Sequence, residues 1–357
     1  MAVQSKERNQ ELVEDARALN IITLSKYRNR LHHFAKRIKK LFDIFRGKPI
    51  LTDGFSCKII PYELIDSDVF LVTKAQLLPP LVWLKSMWVI SGKIVWWDHG
   101  TANLLFYLDT EKKNGTDLSW VIHRKEAEEV VASLNSVDGV LCISTFVEET
   151  VRKACPKLKT YIVFNPVQKY HGRLFQRVSR NRFVYIGRIH EQSKNLSFML
   201  KGLAFLKSEN WELKIIGKGP DEKRLKRLAE TLRISERIQW TGFKNDPFQA
   251  LEDVTCLLLT SNSEGLPMAL IEAIQRGIPV ISSDFPGARD VVVDGVNGYL
   301  YKRGDYRSFV ETVRGVIDGE LNFASPEEIA KTAEKFEEDK VIDRIYDALS
   351  EILRKKT

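Results

Sequence analysis

The alternation of short apolar runs with amphipathic stretches, which begins at residue 183, is the feature that most constrains how this chain can fold. Stretches with helical spacing, such as KNLSFMLKGLAFLK and DEKRLKRLAETLR, separate the apolar runs FVYIGRI, LKIIGKG, IQWTGF, CLLLTS and PVISSD. This order predicts a parallel sheet with helices on both faces. We therefore predict a doubly wound α/β domain over residues 183–301.

The first half of the chain repeats this pattern less regularly, with apolar runs at 68–72, 93–97, 139–144 and 160–165. A second α/β domain is the natural interpretation, because 357 residues exceed what a single core usually holds. The predicted division is an N-terminal domain at 1–166, a polar and basic linker at 167–181, a C-terminal domain at 182–325 and a C-terminal helix at 326–357 that packs back toward the N-terminal domain.

The segment after Pro326 has the pattern of an amphipathic helix. Its apolar side chains fall on one face, which needs a partner in a groove between the domains or on the N-terminal domain. These residues are Ile342, Ile345, Tyr346, Leu349 and Leu353.

Cysteine usage and the N-terminus disfavour an exported protein. The cysteines at positions 57, 142, 155 and 256 have no C-x-x-C spacing. They therefore support neither a disulfide framework nor a zinc site, and they fit a reducing cytoplasm. The first residues lack the apolar segment that is typical of a secretory signal.

The most hydrophobic long window, residues 69–90, is not predicted to span a membrane. Lys74, Lys85 and the pair Pro79-Pro80 interrupt it. The window is therefore predicted to form a strand, a loop and a buried helix.

The net charge of +8 is concentrated in residues 26–48, where nine lysines and arginines face a single acid, Asp43. Apolar residues recur there at helical spacing, namely Leu31, Phe34, Ile38, Leu41 and Phe45. This basic amphipathic helix is either a domain helix with a solvated basic face or a segment that binds an anionic membrane surface. Nucleic acid is not expected as a partner, because no nucleic-acid-binding motif accompanies the charge.

Residues suited to ligand binding follow the predicted strands of the C-terminal domain. In open α/β sheets, ligands bind beyond the carboxyl ends of the strands. Arg188 and Lys194 follow the run FVYIG, and Gly217 and Gly219 follow LKIIG. Phe243 follows IQWTG, and the stretch SNSEGLPMALIEA follows CLLLT. The loops at this edge of the sheet are therefore the predicted ligand site.

The stretch SNSEGLPMALIEA predicts a helix whose N-terminus binds an anion. Gly265 relaxes the backbone and Pro267 suits the first turn of a helix, which leaves the next amides without intrahelical partners. These are the amides of Met268, Ala269 and Leu270. Free amides and the helix dipole favour phosphate, and Arg188 and Lys194 would add two positive charges.

Two acids bracket this helix N-terminus. Glu272 lies about a turn and a half into the predicted helix, where its carboxylate can accept from both hydroxyls of a vicinal diol. Glu264 lies in the loop before the helix and would face whatever is attached to the far phosphate. The two acids would therefore straddle a nucleotide diphosphate.

Each of these residues also has an ordinary structural explanation. Taken singly, Arg188 or Lys194 is a surface charge, Gly217 and Gly219 form a plain turn, and a glutamate on a helix is solvated. The sequence G-K-G-P matches neither G-x-G-x-x-G nor a Walker motif. The functional interpretation depends on all of these residues lying at the strand ends of one sheet.

Residues from Phe183 to about Tyr301 closely resemble the C-terminal domain of the family 4 glycosyltransferases of the GT-B fold. These enzymes carry an E-x7-E pair, which Glu264 and Glu272 match. The segments WELKIIGKG, DVTCLLLTSNSEGLPMALIEA and RGIPVISSDFPGARDVV are most similar to bacterial lipopolysaccharide-core galactosyltransferases that use UDP-galactose, and to exopolysaccharide transferases. A looser likeness in the first domain rests on KIVWWDHGT, VLCISTFVEETV and VFNPV.

The resemblance implies a role for each candidate residue. Arg188 and Lys194 would hold the diphosphate and Glu272 the ribose, while Glu264 would hold the transferred sugar. His99 would touch that sugar from across the cleft, although taken alone it would be a structural histidine at a strand end. Further contacts with the nucleotide would come from Gly187, Gly217, Gly219, Phe243, Lys244, Gly265, Leu266, Pro267, Met268, Ala269 and Leu270.

The resemblance also implies an architecture and a reaction. Two Rossmann-like domains would face each other across a cleft. A hexose, galactose or glucose, would pass with retention of configuration from a UDP-sugar to a lipid-linked saccharide acceptor in lipopolysaccharide or exopolysaccharide synthesis. Attack would occur on the front face, the leaving phosphate would assist deprotonation of the acceptor, and no metal or other cofactor is expected. The protein would act in the cytoplasm, bound peripherally to the inner face of the membrane through residues 26–48.

One departure from the family pattern concerns the N-terminus. Family members open with a strand and a glycine-rich loop that leads into a helix, and residues 1–24 show no match to this unit. We therefore expect an N-terminal domain shortened by its first strand-helix unit, whether through a truncated start or as a natural short form.

Other functions remain open. A UDP-sugar epimerase can share the two-domain architecture, and a non-catalytic sugar-nucleotide-binding or scaffold protein of a polysaccharide assembly complex would fit a shortened N-terminal domain. A retaining phosphorylase would need a cofactor lysine site that the sequence does not show. A metal-dependent transferase would need a D-x-D sequence after a strand, whereas Asp66-Ser67-Asp68 precedes the run VFLV.

Overall fold

The computed structural model describes residues 21–23, 68–73, 75–99, 124–176, 179–251 and 253–354. These residues form two compact units. Unit 1 comprises the described residues up to Ile143, together with Val147–Val163 and the residues from Ile345 onward. Unit 2 comprises Ser144–Phe146 and Phe164–Arg344.

The described strands of unit 1 form a parallel sheet in the order β1-β2-β3-β4-β5. The strands are β1 (Ile21–Thr23), β2 (Val69–Val72), β3 (Lys93–Asp98), β4 (Gly139–Cys142) and β5 (Thr160–Ile162). The described helices between them are α1 (Leu78–Ser86), α2 (Arg124–Leu134) and α3 (Thr145–Ala154). Strands β2 to β4 are mostly buried apolar residues, as expected for parallel strands covered on both faces.

Strand β1 corrects an expectation from the sequence. Ile21 pairs with Val69 and Thr23 with Leu71 in parallel register, so a strand lies in the segment where none was expected. Three residues are too few to show a period, but β-branched side chains favour extended backbone. Residues 24–67, which include the basic segment 26–48, lie outside the described residues.

The hydrophobic window at 69–90 forms a strand followed by a buried helix, as predicted. Helix α1 carries Pro79 in its first turn, where the missing N–H has no intrahelical role. It buries Leu78, Leu81 and Leu84. Among the helices that the structure describes, none combines the length and the apolar character needed to cross a membrane.

The strands of unit 2 also form a parallel sheet, in the order β11-β10-β9-β6-β7-β8. The strands are β6 (Arg182–Ile186), β7 (Glu212–Ile216), β8 (Ile238–Gly242), β9 (Cys256–Leu259), β10 (Val280–Ser283) and β11 (Gly298–Tyr301). The helices are α4 (Glu191–Lys194), α5 (Leu196–Ala204), α6 (Glu222–Thr231), α7 (Met268–Ile274), α8 (Tyr306–Asp318) and α9 (Pro326–Lys331).

The strand order of unit 2 is that of a doubly wound sheet. The chain begins in the middle at β6, adds β7 and β8 on one side, and then returns to add β9, β10 and β11 on the other. The order therefore reverses between β6 and β9. In such sheets the crevice at the carboxyl ends of the two strands that flank the reversal is the usual ligand site.

The predicted single helix at 326–357 is instead two helices, α9 and α10 (Glu338–Arg354), because Glu337 before α10 has extended backbone. Helix α10 contributes its residues from Ile345 onward to unit 1. Its residues Ala348, Leu349 and Ile352 share one buried core cluster with side chains of β2, β3 and β4. Gly139, at the start of β4, makes room for this contact, since a Cβ there would lie 2.6 Å from the Ile352 side chain.

One residue of this helix is placed differently from the prediction. Tyr346 is 59% exposed, so its expected place on the packed face of α10 is wrong. Successive residues of a helix are rotated by about 100°, and Tyr346 comes one position after Ile345, which packs against the cluster.

Candidate functional site

The strand reversal in unit 2 brings together two of the predicted charged residues. Lys194 ends α4, which follows β6, and Glu264 lies in the loop between β9 and α7. Lys194 Nζ lies 2.7 Å from Glu264 Oε2, and the side chains are only 21% and 16% exposed. The two charges therefore form an ion pair that is shielded from solvent, where a charge depends strongly on its partner.

Glu264 has a second partner, which the sequence did not suggest. The hydroxyl of Ser261 donates to Glu264 Oε1, and Ser261 is fully buried. The two oxygens of the carboxylate thus have separate partners, one neutral and one cationic. This arrangement fixes the direction in which the carboxylate points.

Backbone contacts with the loop after β9 hold α4 in place. The hydroxyl of Thr260 donates to the carbonyl oxygens of Lys194 and Asn195, each at 3.1 Å. The amide of Asn262 donates to the carbonyl of Ser193 at 2.9 Å. The backbone of Lys194 is therefore located by hydrogen bonds that do not involve its ammonium group.

Arg188 lies in the loop after β6 and its side chain is exposed. Its carbonyl oxygen accepts from the hydroxyl of Tyr185 at 2.8 Å. Burial raises the pKa of the Tyr185 hydroxyl, so this group stays a neutral donor. The Arg188 guanidinium has no acidic partner among the described residues, so its fork of N–H donors is available to an anionic ligand.

Gly217 and Gly219 let the loop after β7 lie directly against the loop after β6. A Cβ on Gly217 would lie 1.8 Å from the carbonyl oxygen of Gly187, and one on Gly219 would lie 1.9 Å from that of Ile189. Gly217 also has a φ of +155°, which residues with side chains rarely adopt. The approach of two backbones accounts for both glycines, and their contact with a nucleotide stays a prediction.

The N-terminus of α7 differs from the prediction in one respect. Pro267 is the N-cap rather than the first helical residue, and the amide of Leu270 donates to the Pro267 carbonyl at 3.0 Å. The expectation of a free amide is therefore wrong for Leu270, because the first turn closes on the cap carbonyl. The amides of Met268 and Ala269 have no partner among the residues described.

The loop that leads into α7 is packed onto the protein. Leu266 is buried, and a Cβ on Gly287 would lie 2.7 Å from the carbonyl oxygen of Glu264 and 2.6 Å from that of Gly265. The backbone that follows the Glu264 side chain is thus packed against Gly287.

Glu272 is half-buried on α7. Burial raises the pKa of its carboxyl, the Arg276 guanidinium opposes this rise, and the Asp246 carboxylate adds to it. The Arg276 guanidinium lies 4.1 Å from the ring centroid of Phe248 and 4.5 Å from that of Tyr170. Helix α7 therefore presents a carboxylate in partly dry surroundings, where its hydrogen bonds to a ligand are stronger than in water.

Phe243 and Lys244 follow β8 and are both exposed. The Phe243 ring is 65% exposed, and the adjacent Gly242 has a φ of +72° that turns the chain at the strand end. An aromatic face at a strand end of the same sheet is suited to stacking against a planar ligand.

His99 lies in unit 1, directly after β3. Its ring lies against that of Trp97, with a centroid distance of 4.9 Å, and its side chain is exposed. The structure thus places His99 at a strand end, and its contact with a sugar stays a prediction.

Comparison with known proteins decides the family. A family model described as glycosyl transferases group 1 matches residues 167–352, which are 186 of the 357 residues. The chain belongs to this family. The predicted resemblance to glycosyltransferases is thereby confirmed, while the finer assignment to family 4 stays a prediction. The two parallel sheets confirm the α/β fold class.

Individual relatives show how close the likeness is. The lipopolysaccharide 1,6-galactosyltransferase of Escherichia coli K12 is 33% identical over an alignment of 269 residues that covers 71% of this chain and 73% of the relative. The enzyme of the same description from Salmonella typhimurium LT2 is 34% identical over an alignment of 236 residues that covers 61% of this chain and 64% of the relative.

Two solved structures have a similar fold. The lipopolysaccharide outer core galactosyltransferase WaaB, in its apo form, has a TM-score of 0.69 and 25% identity, and covers 90% of this chain and 79% of its own. The Anabaena protein HepE, in complex with UDP-glucose, has a TM-score of 0.61 and 17% identity, and covers 80% of this chain and 79% of its own. At 17% identity the second likeness shows the fold alone.

Proposed function

We propose that this chain is a retaining glycosyltransferase of family 4 that transfers a hexose, galactose or glucose, from a UDP-sugar to a lipid-linked saccharide acceptor in lipopolysaccharide or exopolysaccharide synthesis. The observation that carries the proposal is the Lys194–Glu264 pair at the strand reversal of unit 2. Lys194 would bind phosphate and Glu264 would accept hydrogen bonds from sugar hydroxyls. Both lie at the strand reversal, which is the usual ligand crevice of a doubly wound sheet. The similarity to two lipopolysaccharide 1,6-galactosyltransferases supports the choice of substrate class.

The nucleotide would extend from Glu272 to Glu264. Glu272 would accept from the ribose hydroxyls, while the exposed guanidinium of Arg188, the ammonium of Lys194 and the free amides at the start of α7 would hold the diphosphate. Phe243 would lie beside the base. The sugar would then reach Glu264, and His99 would contact it from unit 1.

This assignment gives the protein an electrostatic role in the reaction. Negative charge builds on the diphosphate as the bond to the sugar breaks, and fixed donors aimed at that charge stabilise the transition state. Arg188 and Lys194 are such donors, and the backbone bonds that locate Lys194 orient it in advance. Retention follows if the acceptor attacks on the face that the diphosphate leaves, with that phosphate taking the acceptor proton.

A transfer assay tests the proposal directly. We expect the protein to move hexose from UDP-galactose or UDP-glucose to a lipopolysaccharide core acceptor that lacks that hexose, with α-linked product from the α-linked donor. Interconversion of the two UDP-sugars without acceptor would indicate an epimerase instead. Binding of UDP-sugar without any turnover would indicate a sugar-nucleotide-binding scaffold protein.

We predict that divalent cations are dispensable for transfer, because Arg188, Lys194 and the α7 amides neutralise the diphosphate. Across the described part of the chain, no group of three or more His, Cys, Asp and Glu residues is placed to hold a metal ion, and Asp68 lies before β2 rather than after a strand. Transfer should proceed at an unchanged rate in a chelator. Abolition by the chelator with rescue by manganese would contradict this account.

We also propose that residues 26–48 bind an anionic membrane surface and hold the enzyme peripherally on the inner face of the cytoplasmic membrane. The prediction rests on the sequence, since the segment lies outside the described residues. Binding to anionic vesicles should fall as salt rises. It should also fall when Lys36, Arg37, Lys39 and Lys40 become Gln. Equal binding to neutral vesicles would contradict the proposal.

A further inference from the structure

Ser261 contacts Glu264 but is not among the residues proposed to bind the sugar nucleotide. It follows β9 and is fully buried. Its hydroxyl donates to Glu264 Oε1, and its carbonyl oxygen accepts from the hydroxyl of Ser283 at 2.7 Å. Ser261 is thus fixed by the neighbouring strand β10 while it holds the carboxylate.

The two partners of the Glu264 carboxylate respond differently to a bound diphosphate. Lys194 is a flexible cation, 2.7 Å from Oε2, and a diphosphate offers it more negative charge than one carboxylate does. Ser261 is neutral and buried, so a diphosphate has no comparable pull on it. Binding of the donor therefore competes for Lys194 and leaves the bond from Ser261 intact.

We propose that Ser261 is a positioning residue that keeps Glu264 aimed at the transferred sugar after the diphosphate has taken over Lys194. The inference rests on the proposed function. In the free protein Lys194 and Ser261 share the carboxylate, whereas in the donor complex Ser261 holds Oε1 and the sugar hydroxyls replace Lys194 at Oε2. Glu264 thereby becomes an acceptor for sugar only when the diphosphate is in place.

This exchange makes the site prefer the intact sugar nucleotide to UDP. UDP draws the Lys194 ammonium away from Glu264 but offers no hydrogen-bond donor to the carboxylate in its place. A carboxylate oxygen that is shielded from solvent then lies without a partner beside an anionic ligand, which is unfavourable. A UDP-sugar supplies hydroxyl donors to the same oxygen. The preference requires that Glu264 stays beside the sugar, and the hydrogen bond from Ser261 holds it there.

The variant Ser261→Ala tests the role. By calorimetry, we expect its Kd for UDP to stay within about twofold of the wild-type value. The preference for UDP-galactose or UDP-glucose over UDP should fall about tenfold, and kcat should fall by a similar factor, as for one lost hydrogen bond to a charged group. Ser261→Thr keeps the hydroxyl and should recover much of the preference.

Ser282→Ala is the matched control. Ser282 is fully buried and its hydroxyl donates to the carbonyl of Ser283 at 3.1 Å, so its loss removes a buried hydrogen bond on the adjacent strand. We expect lower thermal stability with an unchanged preference for sugar nucleotide over UDP. Equal effects of Ser261→Ala and Ser282→Ala on that preference would overturn the inference.

A second variant tests the exchange itself. Glu264→Gln removes the charge that competes for Lys194, so the affinity for UDP should rise severalfold while that for UDP-galactose does not. A fall in UDP affinity would overturn the inference and leave the proposed function standing. Failure of the wild-type protein to bind UDP, UDP-galactose or UDP-glucose would overturn the proposed function, and the inference with it.

Discussion

Replacing Lys194 with Ala should depress turnover by roughly 10²-fold or more, because in the proposed function the ammonium faces charge that grows on the leaving diphosphate. Arg188→Ala should have a similar effect for the same reason. The loss should appear mainly in kcat, since these interactions strengthen as the bond to the sugar breaks. The measurement is steady-state transfer of hexose from UDP-galactose or UDP-glucose.

Two controls separate this effect from a disturbed fold. Lys201→Ala removes an exposed lysine of α5 and should leave turnover unchanged. Lys194→Ala also leaves the Glu264 carboxylate without its cation, so the double variant Lys194→Ala/Glu264→Gln removes both charges. Because Glu264 itself contacts the sugar in the proposed function, the double variant is compared with Glu264→Gln alone. Equal turnover of these two variants would show that the stray carboxylate, rather than the missing ammonium, caused the loss.

Gly217→Ala should destabilise unit 2 by about 3 kcal/mol or more, through the φ of +155° and the overlap of the new methyl group with the Gly187 carbonyl. For a domain of this size, the loss corresponds to a fall in melting temperature of roughly 6–12 °C. Scanning calorimetry of the whole chain measures it.

Gly304→Ala is the matched control for this prediction. Gly304 also has a positive φ, of +76°, but a Cβ there would meet nothing within 4 Å. It therefore measures the cost of a positive φ at a position where no collision occurs. Equal losses at the two positions would show that the close approach of the loops after β6 and β7 is not what requires Gly217.

Most of the strands were predicted from the sequence for a physical reason, whereas their order in the sheets was not predicted. Parallel strands that are buried on both faces form continuous apolar runs, and each run in unit 2 ends at a glycine or a hydroxyl residue where the chain leaves the sheet. Strand β1 was missed because the three residues Ile21–Thr23 are too few to show a repeated pattern. Its stability comes from pairing with β2, which is a tertiary contact.

The sequence identified the charged residues that meet in unit 2, but it did not predict the contacts between them. Glu264 and Lys194 are 70 positions apart (264 − 194), and only the meeting of the loops after β6 and β9 brings them to 2.7 Å. Ser261 is the first residue of the stretch SNSEGLPMALIEA, yet its hydroxyl gained a role only through this pairing. Whether the amide of Leu270 is free depends on how the first helical turn closes on the Pro267 carbonyl. Residue types alone do not determine this.

The central claim is that unit 2 holds a UDP-sugar with Glu272 at the ribose and Glu264 at the sugar. The affinities of UDP and of UDP-galactose or UDP-glucose for Glu272→Ala and Glu264→Ala test it most directly. Glu272→Ala should weaken UDP and UDP-sugar alike, by about 1–3 kcal/mol for a lost charged hydrogen-bond pair. Glu264→Ala should weaken the UDP-sugar, lower turnover and leave UDP binding unchanged or tighter. If Glu264→Ala instead weakened UDP as strongly as Glu272→Ala and left turnover intact, the assignment of the two ends would be wrong.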